Sequence, residues 1–504
     1  MDNNGTGSPS GSESSARQLS RKTMRAAVWN YLSFGLGKLS VIVTITVLAR
    51  LLGPDEFGVV GYAALAIAYL SVLQDLGFSA ALIQRRSDVE EASDTVFTSN
   101  VLVGMMLTAL VYVMAPYIAV FFHEPRVELL MRVLGISFTL EALGSTHLAL
   151  LRRELDFRRK LIPDLGRSLV KGVVSIGLAL LGYGVWALVF GQLAGVMSSV
   201  VLSWLSHPWR PRLRINAALV RSMLTFGVPF MIVNVQSVIG ANLDYTLVGR
   251  MLGDTALGLY TMAYKIPELA ISSIWNVLAQ VLFPAYSSVQ HDRYLLAKGF
   301  LATIRYLQIV IMPLALTITI LADPLVRVLL GSDWLEAIPV FRLIAVACLI
   351  HSIGTNVGDV YKAIGRPGIL SKLGVVNIAV LAICLVIGVR YGLIGVAVGQ
   401  IIAAVQVMLL RLYFATRVLD VSMRDIWQQI RPSFNAGVAL CLVALPVYSV
   451  TDEFNPVIRL FSVSAAAVLA YTVALWSLDK RALLKMLEIA GLTKPVRAAG
   501  KSFD

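Results

Sequence analysis

Charge is scarce in this 504-residue chain, with Asp, Glu, Lys and Arg together making up 14%. Soluble domains carry about a quarter. A chain so poor in charge cannot clothe a water-facing surface. Cysteine is scarcer still, and Cys348, Cys384 and Cys441 all lie inside apolar runs. None is spaced as a metal ligand or a redox pair, which excludes a zinc module and a disulfide scaffold. They read as small buried apolar residues. The five histidines are scattered. There is no Walker loop, no HExxH and no GxSxG elbow. These absences predict a protein that is not an enzyme and needs no metal or cofactor.

What is present is hydrophobic surface: 57% of the residues are apolar, and the mean hydropathy is +0.76. Inside a bilayer every backbone polar group needs a partner within the protein, so spans are helices or closed barrels. The runs here are about twenty residues long, the length of a spanning helix. We place them at 26–49, 57–83, 95–115, 129–150, 164–182, 185–206, 223–248, 257–283, 300–322, 338–362, 369–389, 392–414, 432–450 and 457–477. The expected fold is therefore an all-α polytopic membrane protein with about 14 transmembrane helices. Pro267, Pro284 and Pro313 are expected to kink or end their spans. The tail before residue 24, rich in Ser, Gly and Asn, reads as disordered, with no cleavable leader ahead of the first span.

The net charge of +13 raises the question of nucleic acid, and its placement answers it. The basic residues gather in every second loop, at 84–94, 151–163, 207–222, 284–299, 363–368 and 415–431, and in both tails, all on one side of the membrane. That is the positive-inside pattern, with both termini cytoplasmic. No basic reading domain for nucleic acid exists. The loops on the other side are short, which leaves little room for an external catalytic module.

The chain also repeats itself. Arg50-Leu51-Leu52-Gly53 followed by Gly58 returns as Arg250-Met251-Leu252-Gly253 followed by Gly258. Tyr183-Gly184 followed by Gly191-Gln192 returns as Tyr391-Gly392 followed by Gly399-Gln400. Both matches fall at corresponding places of two six-span halves of equal orientation. The expected organisation is a cytoplasmic tail at 1–23, a first lobe at 24–206 and a basic linker at 207–222. A second lobe follows at 223–414, then a cytoplasmic loop at 415–431, a last helix pair at 432–477 and a basic tail at 478–504. Small residues four apart, Gly191/Gly195, Gly388/Gly392 and Gly395/Gly399, are expected to let neighbouring helices approach closely.

Ionisable groups inside spans are costly and mark function or an ion pair. Lys38, Lys265, Arg305 and Arg342 are the candidates for a cationic substrate cavity. Lys265 also has Glu268 three residues on, the spacing of a local ion pair, and the two arginines lie near span ends, where they can reach the interface. Asp244, Glu141, Glu268 and Asp359 are acidic candidates for a coupling or a structural role.

Two stretches carry a resemblance. Ala49-Arg50-Leu51-Leu52-Gly53-Pro54-Asp55-Glu56-Phe57-Gly58 and Gln74-Asp75-Leu76-Gly77-Phe78-Ser79 resemble the polysaccharide transporter branch of the multidrug/oligosaccharidyl-lipid/polysaccharide flippase superfamily. Leu155-Asp156-Phe157, the run Asp244 to Arg250, and Gly258-Leu259-Tyr260 are similar to it as well. The resemblance implies two six-helix lobes plus a C-terminal helix pair. It implies a Wzx-type flippase that moves an undecaprenyl-diphosphate-linked oligosaccharide across the bacterial inner membrane by alternating access, for lipopolysaccharide, capsule or exopolysaccharide. The expected partners are that lipid-linked oligosaccharide, membrane lipids and polysaccharide assembly proteins, with the transporter itself a monomer. The alternatives are a drug or organic-cation antiporter of the same superfamily and, more remotely, an integral glycan polymerase.

Overall fold

Every regular element in the computed structural model, which describes residues 35–85 and 88–489, is helical among those residues. The chain divides into two compact units, one ending at Ile239 and the other starting at Gly240. The first holds α1 (35–51), α2 (Pro54–Ser71), α3 (Phe78–Gln84), α4 (Val89–Phe122), α5 (Arg126–Arg153), α6 (Phe157–Leu180), α7 (Val185–Ser206) and the start of α8 (Ala217–Leu252). The second holds the rest of α8, then α9 (Asp254–Ser288), α10 (Arg293–Ile320), α11 (Ala322–Leu329), α12 (Ile338–Ile353) and α13 (Val357–Ala363). It continues through α14 (Pro367–Gly388), α15 (Gly392–Leu419), α16 (Met423–Val450) and α17 (Pro456–Ile489).

Each expected run falls on one of these helices or on a broken pair of them, except that 26–34 lies outside the described residues. Seven helical segments among the described residues are long and apolar enough to cross a membrane, one of them, Gly368–Leu419, holding both α14 and α15. Helix α6 misses that standard because it carries charge, with Asp164, Arg167 and Lys171 in its apolar part. Large apolar side chains face outward, with Val173 71% and Leu205 75% exposed, as a lipid-facing surface requires. The buried cores lie within each unit: Phe78, Leu82, Val96 and Leu150 in the first, and Phe300, Ile304, Tyr361 and Leu412 in the second.

Two runs read as continuous are broken, and the reasons are local. The second opens at residues 72–77 between α2 and α3. Leu76 (φ 46°) and Gly77 (φ 79°) are left-handed, a conformation that glycine takes without penalty. Asp75 then caps α3, its Oδ1 accepting from the Ser79 N–H at 3.0 Å and the Ser79 hydroxyl at 2.7 Å. The tenth breaks at 354–356 between α12 and α13. The prolines do not end their helices: α9 runs on through Pro267 and Pro284, and α10 through Pro313.

The tight hairpins α6–α7 and α14–α15 turn at Gly182, Gly184 and Gly392, all at positive φ. Their small residues pack within the hairpins. Gly191 lies against Ser175 and the Lys171 carbonyl, Gly195 against the Arg167 carbonyl, and Gly388 against Gly395. The segment 207–216 is pinned to the first unit. Asp94 accepts from the Arg212 N–H at 3.0 Å, and His147 packs edge-on against Trp209 with ring centres 5.1 Å apart. Asn216 caps α8 through the Ala218 N–H at 3.0 Å. At the start of α16, Ser422 and Asp425 exchange bonds as a capping box. Those bonds hold the Asp425 carboxyl below its ordinary value.

The last helix pair is fastened to the second unit through α10, with Ile309 packed among Ala436, Leu440, Val463 and Tyr471. α17 breaks at Asp479 (φ −152°, ψ 58°). Asp479 caps the segment beyond it, accepting from the Ala482 N–H at 3.1 Å, and also accepts from Arg305 Nε at 2.7 Å. Asp479→Ala removes both bonds, and the segment after the break is expected to fray. Trypsin cleavage at Lys480, Arg481 or Lys485 should then accelerate at least about fivefold, as a buried partner left uncompensated is strongly destabilising. An unchanged cleavage rate would rule out this fastening.

Candidate functional site

The second unit buries a carboxyl group near the C-terminal end of α8. Asp244 of α8 is 3% exposed. Its Oδ2 accepts from the Tyr260 hydroxyl of α9 at 2.7 Å and from Gln400 Nε2 of α15 at 2.7 Å, and its Oδ1 accepts from the Tyr245 N–H at 2.9 Å. All three donors are neutral, and among the described residues no cation pairs with it. Tyr245, Tyr260 and Tyr264 form an aromatic cluster around it, with ring centres 5.3 to 6.0 Å apart. Taking a carboxylate out of water is costly, so three aligned donors are the least that can hold it there. Beside it, Tyr264, Glu268, Trp275 and Gln400 line a cavity of about 300 Å³. Sequence reasoning singled out Asp244 but not its partners. Gln400 was visible only as a mark of the repeat.

The repeat supplies a comparison. Gln192 occupies in the first unit the place of Gln400 in the second, and its Oε1 accepts from Lys171 Nζ at 2.6 Å. One amide thus grips a cation in one unit and a carboxylate in the other, using its two ends. Lys171 and Arg167 share a face of α6, being four residues apart. Arg167 donates to Glu141 of α5 at 2.5 Å, which gives Glu141 a cationic partner. α1 lies along the same helix: Gly37 faces Ser168, and Thr44 closes on Gly172. Lys38, half-buried, follows directly on Gly37. The first unit therefore gathers Lys38, Arg167 and Lys171 on two adjacent helices, and sequence reasoning named only the first. Glu141 and Arg167 also line a cavity of about 210 Å³ with Gln74, Asp75, Asn100 and Arg152.

The remaining candidates divide. Lys265 and Glu268 form the local pair expected from their spacing, at 3.4 Å. Arg305 is committed to Asp479. Arg342 is exposed and lines a separate cavity of about 530 Å³ with Arg327, Asp452 and Arg459. Asp359 is buried and pairs with Lys362 at 3.2 Å. Among the described residues no group of three or more His, Cys, Asp or Glu is placed to hold a metal ion.

Residues 47–339 match the family described as "Polysaccharide biosynthesis protein". The chain is 26% identical to the teichuronic acid biosynthesis protein TuaB of Bacillus subtilis, over 90% of this chain and 95% of that one. It is 25% identical to the succinoglycan biosynthesis transport protein ExoT of Rhizobium meliloti, over 94% and 96%. It is 27% identical to the lipopolysaccharide biosynthesis protein WzxC of Escherichia coli, over 77% and 79%. Among solved structures, the lipid II flippase MurJ in an inward closed conformation superposes with a TM-score of 0.74 at 16% identity, covering 91% of this chain and all of that one. An inward-facing multidrug resistance MATE family transporter of the MOP superfamily superposes at 0.61 with 18% identity, over 76% and 95%. These structures establish the fold. The family match spans more than half of the chain and agrees with the first-loop motif and the polytopic helices: this multi-pass membrane protein belongs to the polysaccharide biosynthesis protein family.

Proposed function

We propose that the chain is a flippase. It carries a lipid-linked oligosaccharide from the cytoplasmic to the periplasmic leaflet of a bacterial inner membrane, for the assembly of a surface polysaccharide. The observation that carries this reading is membership of the polysaccharide biosynthesis family, with similarity along nearly the whole chain to a protein named for succinoglycan transport. The chemistry agrees. A sugar headgroup on a diphosphate cannot cross hydrocarbon without a polar path. Lys38 and Lys171 offer the diphosphate positive charge on α1 and α6, while Arg167 is offset by Glu141, and low surrounding dielectric strengthens the attraction. Transport proceeds by alternating access, with lobes at 24–206 and 223–414 and both termini cytoplasmic. Lys265, paired with Glu268, contributes less net charge than its position in the sequence suggested.

The test is a deletion strain in which surface polysaccharide falls while its lipid-linked repeat unit accumulates. The wild-type gene is expected to restore export. Lys38→Ala/Lys171→Ala is expected to restore less than about a tenth of it, as each charged hydrogen bond is worth about 1.5–3 kcal/mol. The Lys171–Gln192 bond is exposed, so its loss costs little stability. Full export by the double variant would remove the cationic path. Normal glycan with altered sensitivity to cationic drugs would favour the antiporter instead.

A further inference from the structure

A further cavity in the second unit, of about 470 Å³, is lined by Trp275, Asp359, Lys362, Asn377, Gln406 and Arg411. Its size is that of a small-molecule site, about 300–1,000 Å³. Three of its groups are unfinished. Asp359 is 5% exposed. Its Oδ1 accepts from Lys362, but its Oδ2 is buried with no hydrogen-bond partner among the described residues. Gln406 Oε1 is buried in the same condition. Arg411 makes no hydrogen bond or ion pair among the described residues. Buried polar atoms are nearly always paired, so each such group calls for an explanation.

The three groups have different needs. Asp359 Oδ2 and Gln406 Oε1 are acceptors and require a donor. Arg411 has only donors and a fixed positive charge, and it matches a carboxylate with two parallel bonds. With Lys362 and Asp359 offsetting each other, Arg411 leaves the cavity one positive charge in excess. A diphosphate accepts only, so it would leave both acceptors unpaired beside a second anion. A neutral sugar donates to the acceptors but leaves the guanidinium charge unmatched. A sugar ring bearing a carboxylate meets all three needs, and Trp275 offers an aromatic wall for its apolar face.

We propose that this cavity seats an acidic sugar residue of the carried oligosaccharide. Its hydroxyls donate to Asp359 Oδ2 and Gln406 Oε1, and its carboxylate accepts from Arg411. The source of the sugar rests on the flippase reading, whereas the binding chemistry stands apart from it. The test uses the full-length protein in lipid nanodiscs and saturation-transfer NMR. Methyl β-D-glucuronide and methyl β-D-glucoside serve as probes, with inorganic diphosphate as competitor. The glucuronide is expected to bind saturably and at least about tenfold tighter than the glucoside, the effect of one charged hydrogen bond. Arg411→Gln is expected to erase that preference while glucoside binding persists, which also shows that the variant is folded. Asp359→Asn should weaken both sugars. Equal binding of the two sugars by the wild type, or no saturable binding, would overturn the proposal and leave a hydrated cavity. Displacement of the glucuronide by a lower concentration of diphosphate would overturn it in favour of the lipid link. If the wild-type gene restores export but glucuronide binding is absent, the sugar site alone falls. If binding depends on Arg411 but the gene does not restore export, the flippase reading falls and the site stands.

Discussion

Gly227→Ala is expected to destabilise the protein by about 3 kcal/mol or more, the upper range for overpacking. A β-carbon at Gly227 would lie 2.0 Å from the Leu76 carbonyl oxygen and 3.1 Å from Gly77 Cα. The obstacle is backbone, so no side chain can swing aside. The carbonyl belongs to the left-handed turn that separates α2 from α3, and Gly77 presses back with its own missing Cβ 2.4 Å from Gly227 Cα. The break in the second span and the start of α8 therefore depend on two glycines meeting face to face. Gly177→Ala is the control, because nothing lies within 4 Å of its added methyl group. Alanine gains about 1 kcal/mol over glycine within a helix. In detergent the apparent melting temperature should fall by roughly 5 °C or more for Gly227→Ala and hold or rise for Gly177→Ala. Equal stability of the two variants would show that the crossing is loose.

Asp244 separates stability from transport. Asp244→Leu leaves the Tyr260 hydroxyl and Gln400 Nε2 without their acceptor. At about 1–3 kcal/mol for each orphaned group, the variant is expected to lose about 2–5 kcal/mol and to accumulate poorly. Asp244→Asn is expected to keep the fold, because an amide oxygen in the place of Oδ2 still accepts from the Tyr260 hydroxyl and from Gln400 Nε2, and only the bond from the Tyr245 N–H is given up. An amide would thus serve the structural role without the cost of burying a charge. An ionisable group within a membrane helix is a functional candidate by default. We therefore expect Asp244→Asn to fold like the wild type yet export less than about a tenth of the glycan, a barrier of about 1.4 kcal/mol or more. Normal export by the folded variant would reduce Asp244 to a structural bracket for α8, α9 and α15.

The order of helices was legible because apolar length is a strong signal: the run expected at 185–206 coincides with α7. The hairpin turns are legible too, because Gly182, Gly184 and Gly392 stand between two apolar runs, where glycine marks a turn. The break at 72–77 was not, because apolar residues continue on both sides and mask the Asp75 and Gly77 signals. Arg167 and Lys171 were passed over for a similar reason, lying in a segment read for its hydrophobicity. The surroundings of Asp244 could not be read locally. Tyr260 and Gln400 are 16 and 156 residues away, and only folding brings them together. The same holds for Arg305 and Asp479, 174 residues apart. A charge inside a span announces itself, but the partner that decides its meaning does not.

The pair Gln192 and Gln400 bears on how two halves of common pattern drift apart. A salt bridge can change sign only if both partners mutate, and the intermediate carries an isolated buried charge. Glutamine avoids that intermediate. By rotating its amide it presents oxygen to Lys171 of α6 in one half and nitrogen to Asp244 of α8 in the other, so the same residue serves a cation on one neighbouring helix and a carboxylate on another. The duplicated framework thus holds an adaptable electrical socket at one fixed position, against which each half sets a charge of its own sign on a different neighbouring helix.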